Sequence, residues 1–229
     1  MKTVFIEAKS NIDLIPAIKE NFRFLKDYKK IGLLSSIQHV TSIKDVEKYL
    51  KSKGKQVFIG KGSLNCKYPG QILGCDQSSA LKIEKKIDCF LYIGTGNFHP
   101  LGVFLKTKKP VFVLNPFSRK LRQLNEKDRE VYERRRIITL SKAKKAYNYG
   151  ILVSVKPGQY NLKKAMEIKK KIQKQGKFAF IFLFDTLDPK EFLNFKWVEA
   201  WINTACPRII EDEFEKPVIN ADEFEKIYK

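Results

Sequence analysis

Two of the four cysteines stand where a fold could use them for chemistry. Cys206 lies in Asn203-Thr204-Ala205-Cys206-Pro207-Arg208-Ile209, directly after a hydrophobic run that reads as a strand, and Pro207 makes the chain turn there. Cys75 lies far upstream in Gly70-Gln71-Ile72-Leu73-Gly74-Cys75-Asp76, a glycine-bearing loop. Thiolates at strand ends that a fold brings together hold metals or iron–sulfur clusters. Cys66, just before Cys75, reads either as a loop cysteine or as a further ligand. Cys89 opens the strand-like Cys89-Phe90-Leu91-Tyr92-Ile93 and reads as a small buried apolar residue. No His-x-x-x-His or Cys-x-x-Cys spacing occurs, so a zinc finger or zincin site has no support.

The two histidines, His39 and His99, both follow predicted strand ends. Gly94-Thr95-Gly96 lacks the third glycine and the acidic residue of a dinucleotide fingerprint, which argues against NAD. With Asn97 and His99 behind it, that loop still suits a polar ligand. No Gly-x-Ser-x-Gly elbow is present, and Val155-Lys156-Pro157-Gly158-Gln159 is not a Walker loop.

These residues need elements to position them. Short β-branched or aromatic runs alternate with lysine-rich helical segments, and predict strands at 4–6, 31–34, 57–59, 90–93, 111–114, 151–155, 178–184 and 200–202. Ile43-Val46-Leu50 and Leu162-Met166-Ile168-Ile172 repeat at helical spacing. This is the rhythm of an α/β protein with parallel β-α-β units and helices flanking the sheets. Ile31-Gly32-Leu33-Leu34-Ser35-Ser36 resembles Tyr149-Gly150-Ile151-Leu152-Val153-Ser154, and each leads to a helix that ends on a glycine, Gly54 or Gly176, where a left-handed conformation is expected. Two related α/β domains follow, 1–135 with Cys75 and 136–229 with Cys206, joined by a helix within Asn125 to Lys145. Loops at the carboxyl ends of parallel strands form the ligand-binding edge.

With 229 residues and 43% hydrophobic content, the chain can bury one large or two smaller cores. No apolar run approaches the ~20 residues that span a bilayer, so no membrane association and a cytoplasmic location are expected. A net charge of +20 favours an acidic partner. Because the lysines are spread along almost every helix, direct nucleic-acid binding is not expected from the charge alone.

The strings KYPGQILGCD, YIGTGNFHPLG, ILVSVKPGQ and NTACPRI resemble, in order and spacing, successive motifs of the archaeal diphthamide synthase family, in its middle and C-terminal domains. The resemblance implies a noncanonical radical enzyme that uses a [4Fe-4S] cluster and S-adenosylmethionine. Such an enzyme transfers a 3-amino-3-carboxypropyl group to a histidine of translation elongation factor two and draws on an electron donor. By matching motifs, Cys75 and Cys206 are implied as cluster ligands. The family supplies three cysteines, one from each of three domains, and the first domain has no counterpart in these residues. The third ligand is then expected from a separate first-domain subunit, a homo-oligomer, Cys66, or nowhere. From their loop positions, Gln38, His39, Gly94, Gly96, Asn97, His99 and Gln159 are expected to contact S-adenosylmethionine. Competing readings are a non-catalytic basic scaffold or RNA-associated module, and an S-adenosylmethionine enzyme with another acceptor.

Overall fold

Lys30–Ser35 and Asn148–Ser154 are buried along nearly their whole length, the pattern of a strand covered on two sides, and each becomes a central strand of its sheet. The computed structural model describes Val4, residues 6–63 and residues 65–228. In chain order its elements are α1 (Ile15–Asn21), β1 (Lys30–Ser35), α2 (Ile43–Ser52), β2 (Gln56–Phe58), α3 (Ser78–Leu81), β3 (Cys89–Ile93), α4 (Phe98–Lys106) and β4 (Val111–Leu114). β5 (Leu121–Gln123), α5 (Glu126–Lys145), β6 (Asn148–Ser154), α6 (Leu162–Gln173), β7 (Phe178–Phe184), β8 (Ala200–Asn203), β9 (Val218–Asn220) and α7 (Ala221–Ile227) follow. Packing divides the chain into residues 1–129 and 130–229. That division and the boundary expected at 135 both fall inside α5.

The first unit holds a sheet of order β2-β1-β3-β4-β5. One face, with Ile31, Leu33 and Leu91, packs on Ile18 of α1 and on Val46 and Leu50 of α2. The other, with Leu34, Phe90 and Tyr92, packs on Ala80, Val103 and Phe104 of α3 and α4. The strands are parallel except β5, which runs antiparallel to β4, so this sheet is mixed rather than wholly parallel.

The second unit holds an all-parallel sheet of order β7-β6-β8-β9. Ile151, Val153 and Ile202 meet Ala143 of α5, Ile168 and Ile172 of α6 and Phe224 of α7 on one face. On the opposite face Leu152, Trp201 and Val218 are covered by aromatic side chains from irregular segments and 3-10 turns.

The internal repeat is structural. β1 and β6 pair with both neighbours in corresponding places, with Gly32 beside Phe90 and Gly150 beside Trp201. A Cβ at Gly150 would collide with the Trp201 ring, which is why a glycine interrupts this apolar strand. Gly54 and Gly176 adopt the expected left-handed conformation, with φ of 77° and 72°.

Three expectations need correction. Val4 and Ile6 belong to no strand and are exposed, while Phe5 lies outside the described residues. Met166 is 45% exposed, and Ala165 takes the inward position beside Ile168 and Ile172. β5, β9, α1 and α7 went unpredicted, because three-residue strands and seven-residue helices carry too few periods to register.

Candidate functional site

Strand order reverses between β1 and β3 in the first unit and between β6 and β8 in the second, so each has a crevice at the carboxyl ends of those strands. The Cys75 loop lies at the first of these edges. Gln71 bridges to Ser35 at the end of β1, with Ser35 N–H donating to Gly70 O and Ile72 N–H to Ser35 O, at 2.9 and 3.0 Å. Ser35 is in turn opposite Ile93, the last residue of β3.

Four residues, Leu73 to Asp76, then close a tight turn through two backbone hydrogen bonds of 2.9 and 3.1 Å. Cys75 is exposed near its tip. Gln77, itself buried, clamps the turn from behind: its Nε2 donates to Leu73 O and Gly74 O at 2.9 and 2.7 Å, and its Oε1 accepts from Lys106 Nζ at 2.6 Å. Gly74 lies so close to the Phe98 ring that a Cβ there would overlap it, which ties the cysteine turn to the first turn of α4. Cys66 packs under the same turn and is buried. It is 1% exposed, its Sγ lies 3.8 Å from Asp76 O, and burial followed by the neighbouring Asp76 carboxylate pushes its pKa up to about 12. A thiol held neutral is a poor metal ligand. Cys89 is buried, as expected.

Beside this turn, β1 and β3 end on unpartnered polar groups. Ser35 Oγ and both ring nitrogens of His39 are buried without a hydrogen bond, and burial lowers the His39 pKa. Tyr92 is buried beneath the Gly94 loop, its pKa pushed up to about 12 by that burial. The Tyr92 and Ser36 hydroxyls lie near each other without meeting hydrogen-bond geometry. Buried polar groups ordinarily have partners; these orphaned atoms lie at the carboxyl ends of β1 and β3 but not in one cluster, since by strand alternation Ser35 faces the α1/α2 side of the sheet and Tyr92 the α3/α4 side. His99 stacks on Tyr92 at 6.4 Å between ring centroids, and Asn97 occupies the N-cap position of α4. Gly94, Gly96 and Asn97 thus share one strand-to-helix loop, with Gly96 at φ 73° and open space on its Cβ side, whereas His99, expected in the same loop, lies in the first turn of α4. The His39 ring lies 6.0 Å from that of Phe117, in the loop after β4. Gln38 is exposed, and its carbonyl accepts from Ser10 N–H at 2.8 Å.

In the second unit, Cys206 is half-buried just beyond β8, on a turn built by its neighbours. Asn203 accepts from Ala205 N–H at 3.0 Å and donates to Cys206 O and to Asn220 Oδ1, both at 2.8 Å. Thr204 donates to Leu152 O at 2.7 Å, fastening the turn to β6. Pro207 starts a short 3-10 helix directly after the cysteine. Gln159 lies half-buried in the loop after β6, at the same carboxyl edge.

Ser35, too common a neighbour of His39 to count as a signal, and Tyr92, Gln77, Asn203 and Thr204 are not expected from sequence as functional residues. Nothing in the residue types of the first three separates them from ordinary core polar residues. Asn203 and Thr204 stood in the quoted NTACPRI string, but their work is visible only through their bonds. Among the described residues no three His, Cys, Asp or Glu side chains converge on a point that could hold a metal ion. Exposed or half-buried thiols at rigid turns nevertheless fit as separate ligands of a cluster that needs a third thiolate.

The family model described as "Putative diphthamide synthesis protein" matches residues 1–229. The 2-(3-amino-3-carboxypropyl)histidine synthase of Pyrococcus horikoshii is 33% identical over 227 residues, 97% of this chain and 64% of the relative. The Methanocaldococcus jannaschii synthase is 32% identical over 80% of this chain and 55% of its own length, and subunit 1 of the Caenorhabditis elegans synthase is 27% identical over 96% and 55%. Crystal structures of Dph2 from Pyrococcus horikoshii, one of them with a 4Fe-4S cluster, superpose with TM-scores of 0.85 and 0.84 at 31% and 32% identity, over 96% of this chain and 63% of theirs. The chain therefore spans just under two thirds of these Pyrococcus proteins, and it belongs to the family of diphthamide synthesis proteins.

Proposed function

We propose that this chain supplies two of three thiolates, Cys75 and Cys206, to a [4Fe-4S] cluster in a 3-amino-3-carboxypropyl transferase that modifies a histidine of translation elongation factor two. The observation that carries this reading is the placement of both cysteines. Each stands on a turn fastened by side-chain hydrogen bonds at the carboxyl edge of its own sheet, whereas Cys66 and Cys89 are buried in the same fold. The third thiolate comes from residues outside 1–229, in a further domain or in a partner subunit.

When bound, such a cluster supplies an iron without a protein ligand, which can hold and reduce the sulfonium of S-adenosylmethionine. The chain's own residues bind and orient. Gln77 fixes the Cys75 turn, and Asn203 and Thr204 fix the Cys206 turn, so that little ordering remains to be done when the thiolates engage. His39, kept neutral by burial, offers one N–H donor and one acceptor without adding charge, and Ser35 offers a hydroxyl at the end of β1. Gly94 to His99 brings a strand-to-helix loop and the N-terminus of α4 to the same edge, a setting for polar or anionic substrate groups. The basic surface steers an acidic elongation factor and an electron donor toward the site.

Anaerobic reconstitution with S-adenosylmethionine, a reductant and elongation factor two tests the reading, with and without a protein that carries the family's first domain. Methylthioadenosine should form together with a modified histidine when that domain is present, and should fail to form with Cys75→Ala or Cys206→Ala. A chain that binds no cluster in any combination would overturn it.

A further inference from the structure

One stripe of α4 faces the turn that carries Cys75. Phe98, Gly102 and Lys106 stand four residues apart along the helix and so lie on one side of it. Each meets the turn or the glutamine behind it. The Phe98 ring lies where a Gly74 side chain would stand, and Gly102 leaves room for the Gln77 amide, whose Nε2 a Cβ there would meet at 2.9 Å. Lys106 Nζ donates to Gln77 Oε1 at 2.6 Å, so this ammonium is directed at a neutral amide.

That donor decides how Gln77 is oriented. Gln77 is 2% exposed, and on one side it meets two acceptors, Leu73 O and Gly74 O, at 2.9 and 2.7 Å. In a side-chain amide only the nitrogen can serve two carbonyls. Rotated by half a turn, the amide would set Oε1 against both carbonyls and Nε2 against the ammonium. Two carbonyls and one ammonium therefore hold it in a single state. The Gly74 carbonyl belongs to the planar peptide unit that leads into Cys75, so holding it fixes the plane from which the thiol projects.

We propose that Lys106 is a positioning residue for Cys75, acting through Gln77: it keeps the amide in the one orientation that holds the Leu73 and Gly74 carbonyls, and so keeps the thiol in place for a cluster. The role deepens the transferase reading and rests on Cys75 as a ligand. A ligand held in advance needs little ordering when iron engages. A cation at the last position of a helix also suits the helix dipole, and α4 ends on Lys106. That simpler role does not involve Gln77, which separates the two by experiment.

Hydrogen exchange of the full chain, read by mass spectrometry over residues 70–77, reports on the turn without a cluster, because Leu73 N–H and Asp76 N–H each donate to the other's carbonyl. Lys106→Met should speed exchange there about tenfold, Gln77→Met should do the same, and Lys106→Arg should stay within about twofold of the native chain. The double variant should exchange no faster than Gln77→Met alone, since the two residues act in series. Gly102→Ala strengthens α4 by propensity but pushes the Gln77 amide aside, so it should also speed exchange in the turn. It keeps the test valid if Gln77→Met disturbs folding. In the reconstituted complete assembly, the electron paramagnetic resonance spectrum of the reduced cluster should broaden in Lys106→Met at unchanged iron content, and sharpen again in Lys106→Arg.

Unchanged exchange or an unchanged spectrum in Lys106→Met would overturn the proposal and leave the ligand assignment standing. So would effects of Lys106→Met and Gln77→Met that multiply in the double variant, or slower exchange in Gly102→Ala. A native assembly that binds no iron would overturn the ligand assignment and, with it, the cluster role of Lys106, whatever the exchange shows.

Discussion

Cys66 and Cys75 are neighbours in sequence and opposite in chemistry. Burial holds the Cys66 thiol protonated to about pH 12, while Cys75 stands exposed on its turn. Alkylation with iodoacetamide near neutral pH should label Cys75 and spare Cys66 until the protein is unfolded, as followed by peptide mass mapping. Labelling of Cys66 first would show that the loop is arranged differently. His39 gives a pH signature. Its pKa lies below the ordinary 6.5 because burial disfavours the charged ring. The unfolded chain therefore takes up a proton more readily, so the stability that neutral His39 confers is complete above pH 6.5 and is lost as pH falls through the folded value. Thermal melts of His39→Gln across about pH 7 to 5 should be flatter than those of the native chain. Equal slopes would remove His39 from the account.

At the scale of elements, the loops that carry chemistry are held by close contacts a side chain would spoil. Gly74→Ala drives a methyl into the Phe98 ring, and should cost about 1–3 kcal/mol by overpacking while displacing the cysteine turn from α4. Denaturant unfolding reads the first effect and the Cys75 alkylation rate the second. In the other unit, Arg136 of α5 meets Glu223 of α7 through hydrogen bonds of 2.8 and 2.5 Å, with side chains only 8% and 13% exposed. Arg136→Ala strands the carboxylate and should cost about 3–5 kcal/mol. The central strands and long helices were legible because burial on two faces gives unbroken apolar runs and amphipathic helices give a clear period. Met166 misled because it sits one position from the buried stripe that Ala165 occupies, and alanine carries little hydrophobic signal.

Across the whole molecule, the repeat visible in Ile31-Gly32 and Tyr149-Gly150 forecast two related α/β domains, and the structure adds that their sheets share a corresponding strand order. Both cysteines could be placed at the carboxyl edges of the sheets from sequence, since strand ends and turn residues suffice to locate them. The bonds that fix them could not, because Gln77 and Asn203 act through contacts that residue type does not reveal. The same holds for the aromatic face of the second unit, whose phenylalanines read simply as strand and core. The measurement that bears most directly on the account is iron and sulfide content after anaerobic reconstitution of the complete assembly, compared among Cys66→Ala, Cys75→Ala and Cys206→Ala. Cluster loading should survive Cys66→Ala and collapse in the other two. Full loading without Cys75 or Cys206, or its loss without Cys66, would contradict the assignment of the ligands.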